Sequence, residues 1–189
     1  AGDGGGAVGG GALGWARGHY LRDCRPGGLA ALAEPYLRER GQIVGELSSA
    51  ARMWLEWVLP AVAGSVDRLS QLPDRIDAVF APTRIPLEHH GYDSEFISVL
   101  AQELAAAPRL TDKETFRAVA SRVKDRTGRK GKDLFHPIRE LITGSHDGPE
   151  LDVIIPAIDR AASLGQGSGL ARVNGCRERL AHISSMTRP

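Results

Sequence analysis

The amino-acid sequence predicts an all-α chain, and three observations carry that prediction. Aromatic residues make up only 5% of the chain, and Leu and Ala dominate its apolar set, whereas strands draw on Val, Ile and the aromatics. Apolar positions recur three and four residues apart, and no convincing segment alternates with period two. Capping residues, glycines and prolines stand where such helices would start and stop.

The elements follow in order. The first eleven residues hold seven glycines, so 1–13 reads as a flexible linker or a cut end. Gly4 to Gly9 formally matches a dinucleotide-loop pattern, but no strand precedes it. A first helical lobe is expected over 14–80. Leu29, Leu32, Tyr36 and Leu37 form one stripe. Ile43 to Ala63 reads as one long helix with Leu47, Ala50, Trp54, Trp57 and Val58 on its buried face. Pro73 suits the first position of a helix holding Ile76, Val79 and Phe80. Two prolines and a glycine within 81–92 predict a connection.

A second lobe is expected over 93–187. Ser94 is placed to cap a helix with Phe96, Ile97, Leu100 and Leu104. Thr111 and Glu114 fit a capping box ahead of a face made of Phe116, Val119, Ala120 and Val123, with Gly128 as the stop. A helix from Lys132 to Thr143 ends at Gly144. Gly148-Pro149 opens another with Leu151, Ile154, Ile155 and Ile158, and the last runs near Asn174 to Ser184. The fold class expected is two stacked helical lobes with no significant sheet.

Composition narrows the function. The net charge is +1 and the pI about 8.1, so a nucleic-acid site must come from local clustering. Such a cluster exists. Between Arg117 and Arg139 lie Arg117, Arg122, Lys124, Arg126, Arg129, Lys130, Lys132 and Arg139, against Asp125 and Asp133 alone. This asymmetry fits phosphate binding, and it equally fits a solvated helix face. The apolar run Val58 to Ala63 is far too short for a membrane span, and no signal peptide is evident, so a cytoplasmic protein is expected. Cys24 and Cys176 read as buried thiols. Neither they nor His89-His90 complete a metal site. Gly131-Lys132 is followed by Asp133, so no P-loop is present. No carboxylate pair stands out for acid–base work. A helical binding module is favoured over an enzyme.

One segment is specific. Lys130-Gly131-Lys132, Leu134-Phe135-His136-Pro137-Ile138-Arg139, Thr143-Gly144 and Gly148-Pro149-Glu150-Leu151 together resemble the C-terminal region of bacterial glutamyl-tRNA synthetases. Upstream, Leu13 to Arg22 resembles the family's segment after its catalytic half, with Arg17 in place of the usual Asn. Asp67-Arg68-Leu69 and Leu72-Pro73 fall in the expected order. The resemblance spans about 13–184. It implies an anticodon-binding region of a class I synthetase that esterifies glutamate to tRNA. The family's catalytic motifs are absent from this sequence. No cofactor is therefore expected in this chain; ATP and magnesium would belong to the missing catalytic half.

The resemblance also implies site residues. His136, Arg139, Thr143, Gly148, Pro149 and Leu151 match positions at the anticodon pocket, and Lys130 a basic position on the same surface. Lys132, Arg122 and Arg129 join them from the basic cluster. Ser65 matches a position where synthetases strict for glutamate tRNA often carry an arginine facing the third anticodon base. Its shortness implies tolerance of glutamine tRNA beside glutamate tRNA. The alternative for Arg139 is a structural ion pair with Glu140 or Glu150. The expected partner is tRNA(Glu), with tRNA(Gln) also accepted, bound by a monomer with neither metal nor membrane. Two rival readings are a free-standing tRNA-binding paralogue without synthetase activity and a helical protein-interaction module.

Overall fold

The computed structural model describes residues 25–80 and 93–186. The Gly-rich segment, the Trp15 motif, Cys24 and the 81–92 connection with His89-His90 lie outside the described residues. Among the described residues there are nine α-helices and a 3-10 turn, and the one β-type pairing is an isolated bridge between Ile43 and Leu170. The all-α expectation holds.

Helix α1 (Pro26–Glu39) begins with its proline in the first turn, where the missing N–H is no loss. Its buried stripe is Leu29, Ala33 and Leu37, while Leu32 faces solvent. Helix α2 (Ser49–Ala63) starts later than the apolar pattern predicts. Ile43 and Leu47 are buried without being helical, because their stretch pairs with 168–171. There Val44 and Gly45 donate N–H to the Gly169 carbonyl at 2.9 and 3.1 Å, and Ala171 donates to Gln42 at 2.9 Å. The approach is so close that a Cβ on Gly169 would lie 2.2 Å from the Glu46 carbonyl oxygen, and φ there is +86°. Only glycine fits. A 3-10 turn (Leu69–Gln71) leads into two short helices, α3 (Leu72–Arg75) and α4 (Asp77–Phe80).

Helix α5 (Ser94–Ala106) is capped by Asp93, whose carboxylate accepts the Phe96 N–H at 2.6 Å. Ser94 is thus its first helical residue rather than its cap. Helix α6 (Lys113–Thr127) is likewise capped by Asp112, which accepts the Thr115 N–H at 2.7 Å. The expected Thr111–Glu114 box is displaced by one residue, because a charged acceptor at the cap binds the exposed N–H groups more strongly than a hydroxyl. Gly128 ends α6 and Gly144 ends α7 (Lys132–Thr143), both left-handed as expected. Helices α8 (Leu151–Leu164) and α9 (Cys176–Met186) complete the fold.

The core runs without a break through residues from both halves of the sequence. Trp54 on α2 donates its indole N–H to the Ala157 carbonyl on α8 at 3.1 Å and packs edge-on against Phe80. Trp57 carries the Arg160 guanidinium over its ring at 4.0 Å. Asp159, buried on α8, accepts N–H from Leu110 at 2.7 Å and from Cys176 at 2.8 Å. Burial pushes the Cys176 thiol well above its ordinary range, so it stays protonated and inert.

One side chain ties the ends of two helices to a third. Arg179 on α9 is 3% exposed. It donates to the carbonyls of Ala78, Val79 and Ile142 at 2.8, 2.6 and 2.8 Å. A fourth bond reaches Asn174 at 2.7 Å. The carbonyls of Ala78, Val79 and Ile142 belong to last turns, which lack partners within their own helices. The staple sets the C-terminal end of α7 beside α4.

Candidate nucleic-acid interface

Helix α7 presents two faces. Leu134, Ile138, Leu141 and Ile142 are buried. Lys132, Phe135, His136 and Arg139, spaced three and four apart, share the opposite stripe, where neighbours sit about 5–6 Å apart at Cβ. Lys132, Phe135 and His136 are exposed and Arg139 is half-buried.

Arg139 does not form the ion pair with Glu140 or Glu150 that its neighbourhood in sequence allows. Its Nη1 donates instead to the Pro149 carbonyl at 2.9 Å. A neutral acceptor holds the guanidinium in place without cancelling its charge. Burial lowers its pKa from the ordinary arginine value, Asp147 acts the other way, and the positive charge of Arg75 lowers it further. Arg75, on α3, was invisible as a neighbour in the sequence; the seam stapled by Arg179 brings it here. Gly148 has φ +146°, and a Cβ there would meet Arg139 Nη1 at 3.3 Å. The Gly148-Pro149 turn is therefore the seat of Arg139.

Thr143 is 6% exposed. Its hydroxyl donates to the Arg139 carbonyl at 2.7 Å and accepts the Ser145 N–H at 3.2 Å. It shapes the loop after α7. Pro149 and Leu151 are half-buried at the start of α8. His146, in the same loop, pairs with Glu140. Thr143, Gly148 and Pro149 thus come together around Arg139, and Lys130, Lys132 and His136 stand exposed at the start of the same helix.

The basic cluster divides in two. Arg122 and Arg126 both bond Glu103 on α5, at 2.7 and 2.8 Å. These bonds, with that from Arg126 the larger, hold the Glu103 carboxyl below its usual range. Arg129 pairs with Asp93 at 2.5 Å and lies over the Phe96 ring, 4.6 Å from its centre. Arg117 pairs with Asp152. Three carboxylates from outside the window thus answer four of its arginines, and the local excess is half of what the sequence implies. Lys124, Lys130 and Lys132 make no ion pair among the described residues and are exposed. Of these, Lys130 and Lys132 adjoin the Arg139 stripe. Arg122 and Arg129 sit instead where α6 meets α5.

Ser65 lies on the exposed turn after α2, its hydroxyl donating to the Val62 carbonyl at 2.9 Å. No described contact joins it to the α7 stripe. Sequence reasoning passed over Phe135, taken there only as an apolar motif position; its spacing of four from Arg139 was the available signal. Among the described residues, no group of three or more His, Cys, Asp or Glu could hold a metal, and no helix is long and apolar enough to cross a membrane.

Comparison with known proteins identifies the family. A family model described as an anticodon binding domain matches residues 28–165. The glutamate–tRNA ligase of Desulforamulus reducens is 31% identical over 160 residues, covering 82% of this chain and 33% of the ligase. That of Heliobacterium modesticaldum is 29% identical over 174 residues, covering 86% and 34%. This chain thus spans about a third of the length of these relatives. A crystal structure of a glutamate tRNA ligase from Elizabethkingia meningosepticum, solved in complex with its amino acid, superposes with a TM-score of 0.67 at 11% identity. It covers 92% of this chain and 32% of that one, and shows that the fold is shared. The matched segment takes in α7, the Gly148-Pro149 turn and α8 and stops before α9, and the chain belongs to the anticodon binding domain family.

Proposed function

We propose that this chain binds the anticodon stem and loop of glutamate tRNA, serving a glutamate–tRNA ligase whose catalytic half lies elsewhere. The carrying observation is the seat of Arg139: a guanidinium fixed by the neutral Pro149 carbonyl, with its charge left to act on a partner. A planar fork held in this way can pair with or stack on an unpaired base. Lys130 and Lys132, exposed beside it, supply phosphate contacts, and His136 a further polar edge. Leu151 and Pro149, half-buried at the start of α8, supply apolar surface. Thr143 and Gly148 act through the loop they shape. Residues 93–187 form the anticodon side and 14–80 the stem side.

Arg122 and Arg129 take a smaller part, since each already has a carboxylate partner. Adenylate formation, with its ATP, magnesium and glutamate, falls to the catalytic half. The chain works as a cytoplasmic monomer. The Ser65 position leaves room for either base at the third anticodon place, so glutamine tRNA is accepted as well.

The test is binding of the anticodon stem-loop as a function of salt. Lys130→Ala should lower the salt slope by about 0.7–0.9, the signature of one phosphate contact. Arg139→Ala should cost about 1–3 kcal/mol of affinity, and Arg139→Lys should fail to restore it, because an ammonium lacks the planar fork. Full recovery with lysine would reduce Arg139 to a point charge. Absence of binding by the unaltered chain would end the proposal.

A further inference from the structure

We propose that Phe135 is a stacking platform for one unpaired base of the bound RNA, an inference that rests on the RNA-binding reading above. Phe135 is 40% exposed. A single exposed apolar side chain is ordinary, so exposure alone carries nothing. What singles out this ring is the state of the others and the company it keeps.

The other described phenylalanine and tryptophan rings are buried or already carry a partner, and the one described tyrosine lies among carboxylates. Trp54 and Phe80 pack edge to face. Trp57 carries Arg160, and Phe96 carries Arg129. Phe116 is buried. Tyr36 is half-buried on α1, in a groove with Glu39, Arg40 and Asp74. Phe135 lies instead on the stripe of α7, three residues after Lys132, beside His136 and four before Arg139. An open ring between basic side chains is the arrangement that single-stranded nucleic acid selects. The ring stacks on a base, and the flanking cations hold the phosphates either side of it. Other large apolar side chains in the open, Leu32, Val44, Met53 and Met186, are aliphatic and offer no flat face.

Stacking and reading then divide between two residues on one helix. A phenyl face accepts any base, so Phe135 supplies affinity without choice. Arg139, a fixed fork one turn on, supplies discrimination. The partner is a loop nucleotide next to the base that Arg139 reads, because the two side chains are a single helical turn apart.

The experiment places 2-aminopurine at each anticodon-loop position of a stem-loop RNA in turn and follows fluorescence and affinity. At one position, binding to the unaltered chain and to Phe135→Tyr should quench the fluorescence. Phe135→Leu, which keeps apolar bulk but removes the ring, should abolish the quenching. Its affinity should fall about 5- to 100-fold, equally for the native loop and for loops with an altered anticodon. Arg139→Ala should instead change the ratio between those loops. A thermal melt verifies that Phe135→Leu is folded. Quenching and affinity unchanged in Phe135→Leu would overturn the platform while leaving RNA binding intact. Failure of the unaltered chain to bind any stem-loop would overturn both.

Discussion

Replacing Arg179 by methionine keeps an unbranched stem of similar reach and removes every donor. Four carbonyls then lose their donor, those of Val79 and Ile142 in the buried part of the seam and those of Ala78 and Asn174 nearer solvent. An orphaned buried acceptor costs about 1–3 kcal/mol. Against that stands relief: the variant no longer strips water from a buried cation, a penalty of several kcal/mol. Arg179 feels that penalty, since burial is the main force lowering its pKa from the ordinary arginine value. The two opposing effects leave a net loss of about 2–4 kcal/mol. At roughly 2–4 °C per kcal/mol for a chain of this size, the midpoint should drop by about 5–15 °C. Arg179→Lys, with three donors on one nitrogen, should recover only part. Thermal and urea unfolding followed by circular dichroism give both numbers, with unchanged m-values confirming that the native state is still compact. A methionine variant within about 1 kcal/mol of the parent would show that desolvation cancels the four bonds. The staple would then be a geometric locator and not a source of stability.

Three further outcomes are expected. Gly148→Ala puts a methyl group against Arg139 at a backbone angle that alanine avoids. It should cost about 1 kcal/mol or more of stability and weaken RNA binding, yet add nothing in an Arg139→Ala background, so a double-mutant cycle that came out additive would separate the turn from the guanidinium. Glu103→Gln withdraws the shared partner of Arg122 and Arg126, and the salt slope of RNA binding should steepen by about 0.7–0.9 for each arginine that finds a phosphate; an unchanged slope means that this face of α6 is turned from the RNA. Because Glu103 titrates below its usual range when folded, its ion pairs stabilise the fold fully above the unfolded carboxylate value of about 4.3 and lose that effect as pH falls through the folded one, so the glutamine variant should show a smaller share of acid destabilisation. Competition between glutamate and glutamine tRNAs should give comparable binding for the unaltered chain and a preference for glutamate tRNA in Ser65→Arg; a strong glutamate preference without the arginine would refute the tolerance.

Much of this molecule was legible in one dimension. Helices α5 to α9 can be read from apolar spacing and from Gly128 and Gly144, because periodicity and left-handed stops are properties of local sequence. The caps were misplaced by one residue at Ser94 and Thr111, since neighbouring hydroxyls and carboxylates compete for the same N–H groups and only geometry decides. Ile43 and Leu47 looked helical because burial alone leaves the same mark on any backbone; their pairing with 168–171 needs a segment over a hundred residues away. The motif from Lys130 to Leu151 singled out α7, the Gly148-Pro149 turn and the start of α8, which the fold brings together around Arg139. Charge was the least legible quantity. Eight basic side chains in one window fitted a phosphate-binding surface and a solvated helix face equally well, and Asp93, Glu103 and Asp152 reach over from outside the window and occupy four of them. An ion pair forms between side chains that the fold makes adjacent. Sequence alone therefore determined which residues carry charge, and tertiary structure decided which of those charges are answered within the fold.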